Sequence, residues 1–227
     1  VAAVGRALVK ICGVTRPQDA VCAVELGADL VGLNFHPPSP RYLPLERAAA
    51  VAAAVRGRAL LVGVFVRAAR REVEALDAAL GLDLLQFHGD QGPQELAAWG
   101  ERALKVVRLA PGAPPDAVAL TAELARFRSA WGFLLDVRHE SLFGGTGESW
   151  DWRGLAGVTS ARPVLVAGGI RPDNARRALR ASRAAGLDVC SGVESAPGVK
   201  DPDLMARLFA ALADRREEPR GEDEGAA

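Results

Sequence analysis

Residues 60–88 read LLVGVFVRAARREVEALDAALGLDLLQFH, and the pattern changes twice along them. Leu60–Val66 is an unbroken apolar run, as in a strand covered on both faces rather than one alternating between core and solvent. Val73, Leu76 and Leu80 then recur at helical spacing with Arg and Glu between them, which lays one face of a helix on a core. Leu84–His88 is a second short apolar run, ending in Gln86 and His88. Strand, helix and strand of this kind make one unit of a parallel sheet, because parallel neighbours need a crossover and a helix supplies it.

The same beat extends in both directions. Apolar runs recur at Ala7–Cys12, Leu30–Phe35, Leu104–Leu109, Gly132–Val137, Pro163–Gly168 and Leu187–Ser191. Their starts fall about 20 to 31 residues apart, the length of a βα unit. The segments between them carry helix-start signals. Thr15-x-x-Gln18 has the form of a capping box, Pro44 follows the second strand's loop, and Asp201-Pro202 sets an N-cap before a proline at the first helical position. Eight strands alternating with eight helices predict an α/β chain folded as a single (β/α)8 TIM barrel over residues 1–213. An open doubly wound sheet is the alternative, but eight near-equal units show no break. Residues 214–227 (DRREEPRGEDEGAA) are charged, with almost no apolar mass, and are expected to be a disordered tail.

A length of 227 residues suits one large domain. The 28 basic and 28 acidic residues cancel, which argues against binding nucleic acid or membrane through bulk charge. The longest stretch without a charged residue, Leu30 to Pro40, falls far short of the ~20 residues that span a bilayer, and it holds three prolines. No basic segment followed by an apolar one opens the chain, so no signal peptide is read. Cys12, Cys22 and Cys190 are odd in number and lack CxxC spacing; neither a disulfide framework nor a zinc site is expected, and a reducing cytoplasm fits. Only three of the 28 basic residues are lysine, which makes the positions of Lys10, Lys105 and Lys200 informative.

Chemistry in such a barrel gathers at the carboxyl ends of the strands. There the sequence puts Lys10 and Cys12, then Ser39-Pro40-Arg41, Gln86 and His88, Asp136, Gly168-Gly169, and finally Asp188, Cys190, Ser191 and Gly192. Each has a bland reading: a cysteine fills core, a histidine caps a loop, an aspartate or glycine fixes a turn. Cys22, on the first helix, is read that way. For the others, convergence on one mouth outweighs it. Gly168-Gly169 paired with Ser191-Gly192 offers backbone N–H groups at close approach, suited to a phosphate. Cys12 can act as a base if a nearby cation favours its thiolate, and Lys10, two residues earlier, shares its side of the strand. An aspartate enclosed in an apolar mouth stays protonated and can serve as an acid. Cys12 and Asp136 on opposite sides of the mouth would suit a proton-shifting isomerisation. Arg41 would hold a substrate carboxylate through its planar fork, with a surface ion pair as its rival role.

Together VKICGVT (9–15), FHPPSPRY (35–42), LLQFHG (84–89), LLDV…GGTG…DW (134–152), VAGGIRPDN (166–174) and DVCSGVESAPGVKD (188–201) resemble the phosphoribosylanthranilate isomerase family of tryptophan biosynthesis. The resemblance runs in order along nearly the whole chain. It implies a (β/α)8 barrel without a cofactor, active as a monomer or homodimer. It also implies an Amadori rearrangement of N-(5-phosphoribosyl)anthranilate to 1-(2-carboxyphenylamino)-1-deoxyribulose 5-phosphate. Position by position it implies Cys12 as general base, Asp136 as general acid and Arg41 on the anthranilate carboxylate. Backbone amides around Gly168, Gly169, Cys190 and Ser191 would hold the phosphate, and His88, Asp188 and Lys10 would line the site. The family usually has serine where this chain has Cys190. The GGTG run, Gly144–Gly147, is read as a loop near Asp136 without chemistry of its own.

Two neighbours on the same scaffold match less well. A histidine-pathway aminoaldose isomerase would put an aspartate where Cys12 stands. An indole-glycerol phosphate synthase would need a lysine and glutamate set that Lys10 and Lys105 alone do not supply. A non-catalytic phosphate-binding barrel would keep the glycines but need neither Cys12 nor Asp136. A metal hydrolase built on His36, His88 and Cys12 lacks the carboxylate-rich or His-x-His cluster that a metal calls for.

Overall fold

The apolar runs become eight parallel strands hydrogen-bonded in sequence order, and the first pairs with the last to close a barrel. They are β1 (Leu8–Ile11), β2 (Leu30–Asn34), β3 (Leu60–Val66), β4 (Leu84–His88), β5 (Ala103–Leu109), β6 (Gly132–Val137), β7 (Val164–Ala167) and β8 (Gly186–Val189). Around them lie α1 (Pro17–Leu26), α2 (Leu45–Val55), α3 (Arg70–Leu80), α4 (Pro93–Ala97), α5 (Ala117–Ala125), α6 (Ala175–Ser182) and α7 (Pro202–Ala213). This computed structural model describes residues 6–110, 115–137 and 152–213. The GGTG run at 144–147 and the tail at 214–227 lie outside the described residues. Seven α-helices rather than eight stand among the described residues, because between β6 and β7 these hold only a 3-10 turn, Trp152–Leu155. No helix among them is long and apolar enough to cross a membrane.

Every second side chain of a strand faces the inside of the barrel. Toward the amino-terminal ends these are apolar: Leu30, Val62, Leu84, Leu104, Leu134 and Leu165 belong to one buried cluster, with Leu8 packed against it. Each such side chain contributes about 1.5–3 kcal/mol when fully buried. Further along the same strands the inward positions turn polar. Lys10 and Cys12 follow Leu8, Gln86 and His88 follow Leu84, Asp136 follows Leu134, and Asp188 and Cys190 follow Gly186. The outward side chains pack under the helices, where Phe35, Phe65, Phe87 and Trp99 stack in a row with centroids 5.5, 6.1 and 5.8 Å apart. An apolar floor thus holds the barrel together beneath a polar layer.

After β8 the chain does not run straight into α7. It makes a 3-10 turn (Ser191–Val193) and an antiparallel hairpin of β9 (Glu194–Ala196) and β10 (Val199–Lys200), which the sequence pattern did not foretell. Thr15 is drawn into this hairpin, its Oγ1 donating to the Gly198 carbonyl at 2.5 Å. The N-cap of α1 is instead Arg16, whose side chain makes no capping bond. The capping box expected at Thr15-x-x-Gln18 is therefore not formed, because a tertiary partner outcompetes the local one. Buried Asp19 ties the same helix to the hairpin: it accepts from Lys200 N at 3.0 Å and pairs with Arg16 at 2.6 Å. Asp201 does cap α7, accepting from the backbone N–H groups of Asp203 and Leu204 at 2.9 and 3.0 Å.

Candidate active site

At the carboxyl ends of the strands the inward side chains enclose a cavity of about 320 Å³. Its walls include Cys12, Arg41, His88, Asp136, Gly168, Gly169, Asp188, Cys190 and Ser191. Of the residues singled out from sequence, Lys10 and Gly192 stand behind the wall rather than on it. Lys10 is fully buried against Asp188. Gly192 packs so closely on the β7 side that a Cβ there would lie 1.9 Å from the Ile170 carbonyl oxygen, so no other residue fits. A wider cleft of about 990 Å³ opens at the opposite end of the barrel, but it collects surface ion-pairing residues such as Arg6 and Arg162, not strand-end polar groups.

Cys12 and Cys190 stand side by side one residue beyond β1 and β8, following the register partners Ile11 and Val189. The neighbouring Cys190 thiol lowers the Cys12 pKa more than anything else does. Burial and the Asp188 charge oppose it, Lys10 assists, and the balance brings Cys12 to about 7. Cys190 moves the other way, pushed well above the ordinary thiol value by its Cys12 neighbour and by burial, against Lys200 and Arg41. Lys10 is thus not the main cation-like influence expected from its position two residues before Cys12. Asp188 lies 2.9 Å from its Nζ and offsets it. Burial would discharge Lys10, yet Asp188 and Cys12 outweigh burial and raise its pKa. Room for this cluster comes from Gly32 on β2, where a Cβ would lie 3.0 Å from both Cys12 Sγ and Lys10 Nζ.

Arg41 reaches the mouth from the loop after β2 and meets Glu194 of the hairpin. Its Nε donates to Oε1 at 2.9 Å and its Nη2 to Oε2 at 2.6 Å. The rival role foreseen for Arg41, an ion pair, is realised, although the partner is buried rather than on the surface. Lys200 Nζ reaches the same carboxylate at 2.7 Å and the Cys190 carbonyl at 3.1 Å. Burial would raise the Glu194 pKa, but Arg41 and Lys200 overcome it and hold the carboxyl below its ordinary range. The Glu194 bond in turn raises Arg41. Sequence reasoning missed Glu194 and Lys200. The scarcity of lysine was the available signal, since all three lysines prove buried.

Gly168 and Gly169 adopt φ of 94° and 63°, a backbone that side chains resist, and so turn the β7 loop across the mouth. Asn174, also overlooked, fixes that loop: its Nδ2 donates to Gly169 O and its Oδ1 accepts from Arg171 N, both at 2.8 Å. The loop lies beside Ser191 on the same cavity wall. Across the mouth Gln86 Nε2 and His88 Nε2 are 2.6 Å apart, and Gln86 Oε1 is a buried acceptor with no hydrogen-bond partner. Asp136 is half-buried, with Arg108 its register partner on β5. It stands three strands from Cys12 by way of β7 and β8. Lys105 faces outward and holds the β4–α4 loop by the carbonyls of Gly89 and Gln91 at 2.7 and 3.2 Å. Among the described residues no group of three or more His, Cys, Asp and Glu side chains is arranged to hold a metal.

The family model of N-(5'phosphoribosyl)anthranilate (PRA) isomerase matches residues 9–211. An N-(5'-phosphoribosyl)anthranilate isomerase of Myxococcus xanthus is 45% identical over 206 residues, which cover 90% of this chain and 95% of the relative. The crystal structure of phosphoribosyl anthranilate isomerase from Thermotoga maritima is similar with a TM-score of 0.77 at 30% identity, covering 91% of this chain and 98% of that one. A phosphoribosyl anthranilate isomerase in complex with reduced 1-(o-carboxyphenylamino)-1-deoxyribulose 5-phosphate gives a TM-score of 0.74 at 28% identity, with coverages of 91% and 98%.

Proposed function

The chain belongs to the N-(5'-phosphoribosyl)anthranilate isomerase family, an isomerase of tryptophan biosynthesis, and we propose how its own residues carry the reaction. The substrate's phosphate lies against the backbone of Gly168, Gly169, Cys190 and Ser191, backed by Gly192, and its carboxylate meets Arg41. Glu194 occupies the Nε edge of that guanidinium and so orients the remaining donors toward the cavity. Asp136 gives a proton to the furanose ring oxygen. The C1'–O bond breaks as the anilino nitrogen lone pair forms a C=N bond, leaving an open-chain iminium.

Cys12 then removes the proton from C2'. The C–H electron pair becomes a C1'=C2' double bond and the C=N electrons return to nitrogen, giving an enolamine. Ketonisation moves a proton to C1' and leaves a carbonyl at C2'. Cys12 ends with the proton from C2' and Asp136 ends without the one it gave to the ring oxygen, and exchange with water resets the pair. A thiol brought to about 7 is half ionised at neutral pH, which suits a group that must accept a proton and release it each cycle. Asp188 and Lys10 hold the floor beneath Cys12, and His88 with Gln86 lines the wall facing it. Three free thiols fit a reducing compartment such as the cytoplasm.

The observation that carries this reading is the shared wall: Cys12, Asp136, Arg41 and the Gly168-Gly169 and Ser191 backbone bound one cavity. Purified protein mixed with freshly generated phosphoribosylanthranilate is expected to abolish the anthranilate-type fluorescence with saturation kinetics. Folded protein that leaves the fluorescence unchanged would contradict it.

A further inference from the structure

Two of the three cysteines are neighbours in the mouth. Ile11 and Val189 are register partners in the β1–β8 seam, and the next residue on each strand is a cysteine. Cys12 N donates to Val189 O at 2.9 Å, which keeps the two chains together past the last paired residues. Neighbouring positions of this kind hold their Cα atoms within the span of about 4.4–6.8 Å that a disulfide bridges. Both thiols are free and on the cavity wall, where a small solute can reach them. Two cations border the pair. Lys200 Nζ is 3.8 Å from Cys190 Sγ, and the Arg41 stem passes over Gly13, where a Cβ would lie 2.5 Å from Arg41 Cδ and 3.1 Å from Cys190 Sγ.

We propose that Cys12 and Cys190 form a reversible oxidation site for hydroperoxides, closed as a disulfide across the β1–β8 seam. The Cys12 thiolate attacks the terminal oxygen of ROOH. An S–O bond forms, the O–O bond breaks, and the departing alkoxide takes a proton to leave as ROH, with Cys12 now a sulfenic acid. Cys190 sulfur then attacks Cys12 sulfur. The S–S bond forms, the S–O bond breaks, and hydroxide leaves with the Cys190 proton as water. Two thiols lose two protons and two electrons, and the peroxide is reduced to alcohol and water. Cys12 is the attacking sulfur because its thiolate is the favoured one of the pair. Cys190 is held protonated chiefly by its Cys12 neighbour. Oxidation of Cys12 removes that restraint and leaves Lys200 and Arg41 to favour the second thiolate.

That the bridge would stop turnover rests on Cys12 being the base. That it forms does not. Reduced protein is treated with hydrogen peroxide, its thiols are counted after denaturation, its peptides are mapped by mass spectrometry, and its turnover is measured before and after dithiothreitol. The thiol count should fall from three to one, with a peptide pair linked through Cys12 and Cys190, and turnover should fall in step. Dithiothreitol should reverse all of it. Cys22→Ala, on α1, should keep the linked peptide. Cys190→Ser should lose it, and Cys12 should then over-oxidise to a sulfinic acid that dithiothreitol does not restore. A linked peptide with turnover intact supports the site and removes Cys12 from the base role. Three thiols persisting in peroxide-treated protein, or a bridge that uses Cys22, overturns the proposal whatever the turnover.

Discussion

Lys10 and Asp188 are register partners across the seam that closes the barrel, with Nζ 2.9 Å from Oδ1 and side chains 0% and 7% exposed. Two charges are held out of water under the reacting groups, each satisfied mainly by the other. Removing one leaves the other buried and unpaired. Lys10→Met is expected to destabilise the protein by about 3–5 kcal/mol, and Lys10→Met with Asp188→Leu to recover most of the loss. Urea titration at neutral pH checks both, and an unshifted midpoint for Lys10→Met would show the pair to be idle.

The thiol pair sets the pH dependence. Protonation of Cys12 removes the base, so kcat/KM should fall as pH drops below about 7. The Cys190 thiol is the largest influence holding that value down. Cys190→Ala should therefore carry the acidic limb upward, toward the ordinary 9.0 of a thiol. A pH profile of the two proteins decides it, and a limb that stays in place would show that Cys190 does not tune Cys12.

Arg41 and Glu194 separate binding from chemistry. Arg41→Ala should chiefly raise KM, since it removes a contact made equally in ground and transition states. Glu194→Gln should raise KM too, by roughly 10-fold, because a hydrogen bond to a charged group is worth about 1.5–3 kcal/mol and the guanidinium loses its brace. Steady-state kinetics with both variants test this. An unchanged KM in Arg41→Ala removes it from the carboxylate site.

Gly32→Ala tests the space around Cys12. The added methyl would press on Cys12 Sγ and Lys10 Nζ at 3.0 Å, and displacement of a reacting group by an ångström costs up to about 100-fold in rate. A loss of kcat between ~10- and ~100-fold is expected, with the secondary structure seen by circular dichroism retained. Wild-type kcat in the folded variant would mean that Cys12 has slack the structure does not show.

Much of this was legible because strand and site share one code. A strand covered on both faces reads as an apolar run, so Leu60–Val66 and Leu84–His88 matched to the residue, and Gly132–Val137 likewise. The polar residue ending such a run, as at Cys12, His88 or Asp136, then marks the mouth. What stayed hidden depends on distant partners. Glu194 meets Arg41 from 153 residues away and Asp19 meets Lys200 from 181, and no local spacing announces either. Thr15 matched a capping pattern, yet its partner is Gly198. Lys105 was readable: it alternates with inward Leu104 and Val106, so period two alone sends it outward.

The division of labour between Cys12 and Asp136 is tested most directly by single-turnover and steady-state rates of Cys12→Ala and Asp136→Asn on phosphoribosylanthranilate. Binding of reduced 1-(o-carboxyphenylamino)-1-deoxyribulose 5-phosphate is measured calorimetrically in the same proteins. A general acid or base contributes typically ~10²–10⁴-fold, so each variant should lose kcat by at least that range while still binding the ligand. Near-native kcat in either folded variant would contradict the role given to that residue.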